Sequence, residues 1–372
     1  MVQTDIFAEL KHFAAAEIRP NAANDENQGG FSRELIGKMA DNGYLGAAIP
    51  VAYGGLGLDP VQYGLFTEII GMASDSVRAM LTVHTSLVGE TILRCGTVRQ
   101  KEELLPRIAR GELLGAFALT EPGTGTDAKG ITTSYLPVSP GHFFLNGRKK
   151  WITMGALADL LLVIAVSGNK HTAFLVDTQL PGVTVSPMRG LLAGDGTHIA
   201  EIEFTDVALT SGDILGMEGN GFAYIANTAL DFGRHSVAWG GAGIAAEALD
   251  AMVAYSRKRK QFGKSISSFQ LIRGLLGDAV TSLQATRALC LRASQHRKEK
   301  HPDAMIATII AKYHASKTAG RVTADALQVH GANGFSPHYP VARLFREAKT
   351  LEIIEGTSQV LQEAIAEHAL TR

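Results

Sequence analysis

The spacing of apolar residues changes period twice along this chain, and that change restricts the fold more than any single motif. Residues 4–18 place Ile6, Phe7, Leu10, Phe13 and Ile18 on one helical face, stopped by Pro20. A second helix over 32–42 starts at Ser32, carries Leu35, Ile36 and Met39, and stops at Asn42-Gly43. A turn-rich loop over 50–60 gives way at Asp59-Pro60 to another helix, and helical patterns continue through 91–95 and 97–110. Short runs at 114–119, 142–145, 159–166, 172–176, 183–185 and 199–204 are punctuated by Gly, Pro, Asn and Asp, as strands are. From Gly221 the helical period returns over 221–258, 268–300, 303–330 and 355–370, broken by Gly263, His301-Pro302 and a turn region over 331–340. This order predicts an α+β multidomain chain. It has an N-terminal helical domain over 1–112, a middle antiparallel β domain over 113–219 and a C-terminal four-helix bundle over 220–372.

Charge narrows the partners. The 35 basic and 36 acidic residues are interspersed and sum to a net −1, so nothing draws the chain toward nucleic acid or an anionic membrane. Cys95 and Cys290 lie far apart in apolar surroundings and read as reduced core thiols. No His, Cys, Asp or Glu cluster has metal-ligand spacing, so no metal is expected. No apolar run reaches the length of a membrane span, and the first residues, with Asp5 and Glu9 in an amphipathic pattern, are unlike a targeting peptide. The expected location is the cytoplasm.

Several stretches could carry chemistry. Glu355 follows the apolar pair Ile353 and Ile354 and precedes Gly356 and Thr357; an apolar collar would raise a carboxylate's pKa toward neutrality, where it works best as a base. The alternative is an exposed acid at the start of the last helix. Thr357 and Gln359 can donate hydrogen bonds. The loop from Thr120 to Asp127, with Gly125 and Thr126, suits a backbone that approaches a polar ligand, or else an ordinary glycine turn. Trp151 and Thr153 would share one face of a strand and could meet a planar ligand; a core tryptophan is the alternative. Arg257, Arg259, Phe262 and Gly263 end a long helix, either as helix-dipole partners or as an anion clamp with a stacking ring. Gly241 and Gly243 lie inside a helical run with no strand before them, which excludes a dinucleotide fingerprint. His84 and His330 read as buried core histidines.

Together and in this order, these stretches resemble the acyl-CoA dehydrogenase family over nearly the whole chain. The resemblance rests on Thr120–Asp127, Trp151–Thr153, Arg259–Gly263, and Arg346–Lys349 leading into Glu355–Gln359. It implies FAD bound between the sheet and the C-terminal bundle, with Phe117, Leu119, Thr120, Gly125, Thr126, Trp151 and Thr153 on the sheet side. Arg259, Phe262, Gln270, Gln328 and Gly331 would hold the adenine half in a neighbouring subunit, so a homo-oligomer, dimer or tetramer, is implied. Thr357 and Gln359 would also face FAD. Glu355 would be the base that takes the α-proton of an acyl-CoA or acyl-carrier-protein thioester, beside Arg234, Ile354 and Gly356. Family members with the base elsewhere carry it immediately before the arginine matching Arg234, where this chain has Gly233.

Departures mark a narrower group. Ile354 stands where many members have Tyr, Glu347 replaces the usual Asp, and the hairpin over 167–171 is short. The wording of 81–85, 233–240 and 352–356 resembles dehydrogenases of polyketide extender-unit pathways, which act on short polar acyl groups on acyl carrier protein. A flavin-dependent oxidase and a DNA-binding relative are the competing readings. The electron acceptor stays open.

Overall fold

The helical face seen first in the sequence folds as α1 (Ile6–Phe13), which buries Leu10 and continues through π-helical turns to the buried Ile18. The structure, a computed structural model, describes residues 6–371; the expected start of this helix at Thr4 and Asp5 lies outside them. After the turn at Pro20 an unexpected helix, α2 (Ala22–Gln28), buries Asp25 and Glu26 and so has no apolar stripe to announce it. In α3 (Arg33–Asp41) the Ser32 hydroxyl accepts a hydrogen bond from Leu35 N at 3.1 Å, which satisfies one of the orphan donors of the first turn. Next come α4 (Pro60–Ala73), α5 (Asp75–Leu81) with π-helical turns to Glu90, α6 (Thr91–Cys95) and α7 (Val98–Ala109). A reciprocal Thr97–Gln100 capping box opens α7.

The middle stretch forms one seven-stranded sheet from β1 (Gly115–Ala118), β2 (Ser134–Ser139), β3 (His142–Ile152), β4 (Leu160–Ser167), β5 (Lys170–Asp177), β6 (Val183–Pro187) and β7 (Ala200–Thr210). The order is β1-β4-β2-β3-β7-β6, with β5 on β4. Pairing is antiparallel at β2–β3, β3–β7, β6–β7 and β4–β5, as expected. It is parallel between β1 and β4 and at the single Ser134–Val166 step between β2 and β4. The long excursion between β1 and β4 makes this possible, because parallel neighbours need a crossover rather than a tight turn. Strand β2 escapes a reading by apolar runs because, of its six residues, only Tyr135 is buried. Tyr135, Phe143 and Phe174 meet edge to face at 5.2–5.7 Å and fasten β2 to the sheet's core.

The last third runs through π-helical turns at Gly221–Ala226 into α8 (Asn227–Lys258), then a hairpin of β8 (Lys260–Gln261) and β9 (Lys264–Ser265). It continues with α9 (Gln270–Lys298), α10 (Ala304–His330), α11 (Val341–Leu351) and α12 (Ser358–Leu370). The helical layout therefore holds with one helix more than the four expected. In α11, Val341, Leu344, Ala348 and Leu351 repeat at helical spacing and are all buried. The last helix starts at Ser358, because the Thr357 hydroxyl caps it by accepting from Val360 N at 3.3 Å.

The chain packs as two compact units. The helical unit takes the stretch up to Asn27, Pro60–Arg78 and everything from Arg234 onward; the sheet unit takes Gln28–Asp59 and Ala79–Gly233. In the helical unit α8 runs against α4 at close quarters. A Cβ on Gly243 would lie 2.7 Å from the Glu68 carbonyl oxygen, so the glycines that faintly resembled a nucleotide fingerprint serve helix contact. One correction concerns membranes: the helix Gly221–Lys258 is long and apolar enough to span one by length and composition, yet 67% of its apolar window is buried as protein core.

Candidate functional site

In the helical unit the chain between α11 and α12 makes a tight turn around Glu355. Glu355 has φ 57°, a left-handed conformation costly for a residue with a side chain, and Gly356 follows at φ 98°. A Cβ on Gly356 would lie 3.4 Å from Leu361 and 3.5 Å from an Arg234 nitrogen. Two cations grip the turn's successive carbonyls. Arg234 Nε from α8 donates to Glu355 O at 2.8 Å, and Lys312 Nζ from α10 donates to Gly356 O at 2.7 Å. With both oxygens engaged, the Glu355 N–H donates to no acceptor among the described residues.

The carboxylate itself is left short. Glu355 Oε2 is enclosed and has no hydrogen-bond partner among the described residues. Burial pushes its pKa up to about 7 against the opposing pull of Arg234, Lys312 and Arg78. The pKa rises as expected, but not through the expected apolar collar: Ile353 and Ile354 are exposed, and the enclosure comes from the helices around the turn. The alternative of an exposed acid opening the last helix is excluded, since that helix begins three residues later. The Thr357 hydroxyl is engaged as the cap, and Gln359 is exposed.

Arg259, Phe262, Gln270, Gln328 and Gly331 lie elsewhere in this unit, just past the end of α8, in the β8–β9 hairpin, at the start of α9 and at the end of α10, all exposed. Phe262, at φ 51° in the β8–β9 hairpin, is 92% exposed, with the ring of Phe269 6.1 Å away. The ends of α8 and α10 meet where Tyr255 stacks on His330 at 4.1 Å and accepts from Asn333 at 2.7 Å. Gln328 lies sixteen residues beyond Lys312 on α10, about 24 Å along the axis. That end and the Glu355 turn are separate places on one unit.

In the sheet unit, Phe117 lies in β1 and Leu119 just beyond its end, and Lys150 N donates to Thr120 O at 2.9 Å, tying the loop to β3. Thr120 is half-buried, and Gly125 and Thr126 are exposed at the loop's tip. Trp151 is half exposed with φ 62°, at a register shift between Lys149 and Ile152. Thr153 sits just beyond the strand, so the expected i, i+2 strand pair is replaced by a bulged end. Ile152 between them is buried, while Trp151 is exposed and Thr153 half-buried. An open indole beside a loop of exposed backbone fits a planar, phosphate-bearing group such as FAD.

Two buried lysines that no sequence motif marked hold both loops. Lys149 is fully buried; its Nζ donates to Leu119 O and to Glu121 Oε1, both at 2.9 Å. Glu121 also accepts from Thr132 N and Oγ1 at 2.7 Å and from Thr133 N at 2.8 Å. Lys312 is equally buried, on the inner face of α10 where Ala311 and Ala315 are also buried. A lysine falling on the apolar stripe of a helix was the available signal. His84 and His330 are core histidines, as expected: His84 faces Ile108 O at 3.0 Å and accepts from Gly115 N at 3.1 Å, and burial pushes its pKa down to about 4. His330 faces Ala326 O at 2.7 Å.

Comparison with known proteins agrees along the whole length. The chain matches the acyl-CoA dehydrogenase N-terminal domain over residues 2–112, the middle domain over 116–207 and the C-terminal domain over 219–370. It is 37% identical to the probable acyl-CoA dehydrogenase YngJ of Bacillus subtilis, covering 97% of this chain and 96% of that one. Butyryl-CoA dehydrogenase from Megasphaera elsdenii superposes with a TM-score of 0.94 at 36% identity, covering all of both chains. A chain solved in work on the electron transferring flavoprotein of Acidaminococcus fermentans gives 0.95 at 35% identity, covering 99% of this chain and 97% of that one. FkbI, solved for its part in biosynthesis of the methoxymalonyl extender unit of the FK520 polyketide, gives 0.89 at 29% identity, covering 98% and 99%. The chain belongs to the acyl-CoA dehydrogenase family and is an FAD-dependent oxidoreductase.

Proposed function

We propose that Glu355 is the base that takes the α-proton of a short polar acyl thioester, carried by CoA or by acyl carrier protein, in a dehydrogenation that forms the α,β double bond. The observation that carries this reading is the enclosed, unpartnered Glu355 Oε2 with a pKa of about 7. A carboxylate so placed is part ionised near neutral pH and loses no hydrogen bond when it accepts a proton. The α-proton of a thioester is too weakly acidic for such a base unaided. Hydrogen bonds to the acyl carbonyl oxygen are needed, and the Glu355 N–H, left without an acceptor, is suited to supply one. Arg234 and Lys312 hold the turn so that the carboxylate and this donor are fixed together.

When bound, FAD supplies the acceptor for the β-hydride. On the sheet unit, Phe117, Leu119, Thr120, Gly125 and Thr126 would hold it with Trp151 and Thr153. Thr357 and Gln359 would face it from the Glu355 turn. Arg259, Phe262, Gln270, Gln328 and Gly331 would take the adenine half of a cofactor in a neighbouring copy. The distance along α10 between Gln328 and the Glu355 turn favours a homo-oligomer. Arg234, Ile354 and Gly356 would border the thioester.

The likeness to FkbI supports a short polar acyl group on a carrier protein. The likeness to a chain studied with an electron transferring flavoprotein supports such a flavoprotein as electron acceptor. Anaerobic titration of the flavin colour with matched acyl-CoA and acyl-carrier-protein thioesters tests the reading. Bleaching by short polar acyl groups, faster from the carrier protein, is expected. Bleaching only by long plain acyl-CoA would overturn the substrate assignment, and rapid oxygen consumption by the reduced protein would make it an oxidase.

A further inference from the structure

Lys312 is fully buried near the middle of α10, and its one hydrogen bond among the described residues, 2.7 Å long, goes to the Gly356 carbonyl oxygen. A buried ammonium with a single neutral acceptor is poorly solvated and costly to keep, so its placement calls for a purpose. Helix formation does not need it, since the neighbouring Ala311 and Ala315 fill the same inner face. The nearby charges are few. Glu355 is the carboxylate that Lys312 feels most, Arg234 is a second cation, and Glu352 is bound to Lys317 and Lys349. Glu355 in turn feels Arg234 of α8, Lys312 of α10 and Arg78 of α5, the last paired with Asp75 at 2.7 Å. Arg234 and Lys312 therefore approach the turn from two helices and pull consecutive carbonyls inward.

We propose that Lys312 is a positioning residue for Glu355: it fixes the Glu355–Gly356 turn through the Gly356 carbonyl and keeps a positive charge beside the carboxylate. This rests on Glu355 being the base. Burial pushes the amine down to about 8, still above the value of about 7 at which Glu355 ionises, so Lys312 carries its charge while the carboxylate forms. Removing the charge raises the carboxylate's pKa, and removing the anchor lets the turn shift.

The test compares purified Lys312→Met, Lys312→Gln and Glu355→Gln holoenzymes with wild type. It measures kcat per bound flavin, KM, the acid limb of kcat against pH, and Tm against pH. Lys312→Met should keep its flavin and a KM within about threefold, while kcat falls about 10- to 100-fold. Its kcat limb should move up by about one pH unit. Lys312→Gln retains a donor for Gly356, so it should show the same limb movement with a smaller loss of kcat, and it carries the test if Lys312→Met does not fold. Variants that lose only Tm, with kcat and the limb as in wild type, would overturn the positioning role. Near wild-type turnover in Glu355→Gln would overturn the base itself, a distinct failure.

Discussion

Glu121 and Glu355 are both acids set beside a fully buried lysine that caps a loop carbonyl, one in each unit of the molecule. In the sheet unit Glu121 takes hydrogen bonds from Lys149, from the Thr132 backbone and hydroxyl, and from the Thr133 backbone. Burial alone would raise its pKa, but Lys149 and these donors outweigh it and bring it down to about 2. In the helical unit Lys312 bonds to the backbone instead, Glu355 keeps an orphaned oxygen, and its pKa rises to about 7. The same two residue types thus make a fastener in one loop and a poised base in the other. What separates them is where the lysine's hydrogen bonds go.

The largest effect expected from this contrast is on stability. Glu121→Gln leaves Lys149 as an uncompensated buried charge and should destabilise the fold by about 3–5 kcal/mol, read as a lowered denaturation midpoint. The two acids should also bend the pH–stability curve in opposite directions. Native Glu121 has a depressed pKa, so its contribution is present above about pH 4.5 and is lost as pH falls toward 2. Native Glu355 has a raised pKa, so its contribution is present below about pH 4.5 and is lost as pH rises through 7. Tm profiles of Glu121→Gln and Glu355→Gln should each flatten in their own window, and an identical change in both would break the comparison. Gly356→Ala meets a positive φ and neighbours at 3.4 and 3.5 Å, so it should cost about 1–2 kcal/mol and lower turnover more than Tm. Thr357→Ala removes the cap of α12 and should cost about 1 kcal/mol, seen as a small Tm shift.

Much of this was legible before any coordinates. The switch from helical to alternating period marked the sheet, and Ser32 opens α3 as expected, whereas the last helix, expected from 355, starts at Ser358 after its Thr357 cap. Strand β2 and helix α2 were silent because their buried residues are few or polar. The left-handed backbone at Trp151, which replaces a regular strand pair, follows from the register of β3 on β7 and not from local propensity. Glu355 stood out as a candidate base, but its true enclosure, by α8 and α10 residues 43 to 121 positions away in the chain, could not be read locally. Lys312 left one local trace, its place on the apolar stripe of α10, whereas Lys149 left none because its partners Leu119 and Glu121 lie 30 and 28 positions away.

Proton removal by Glu355 sets the rate of anaerobic flavin bleaching by an active thioester. With flavin content matched, wild type should bleach faster as pH rises through about 7, and Glu355→Gln should be slower by about 10²-fold or more at every pH. Bleaching of Glu355→Gln at close to the wild-type rate, with the same pH dependence, would contradict the account.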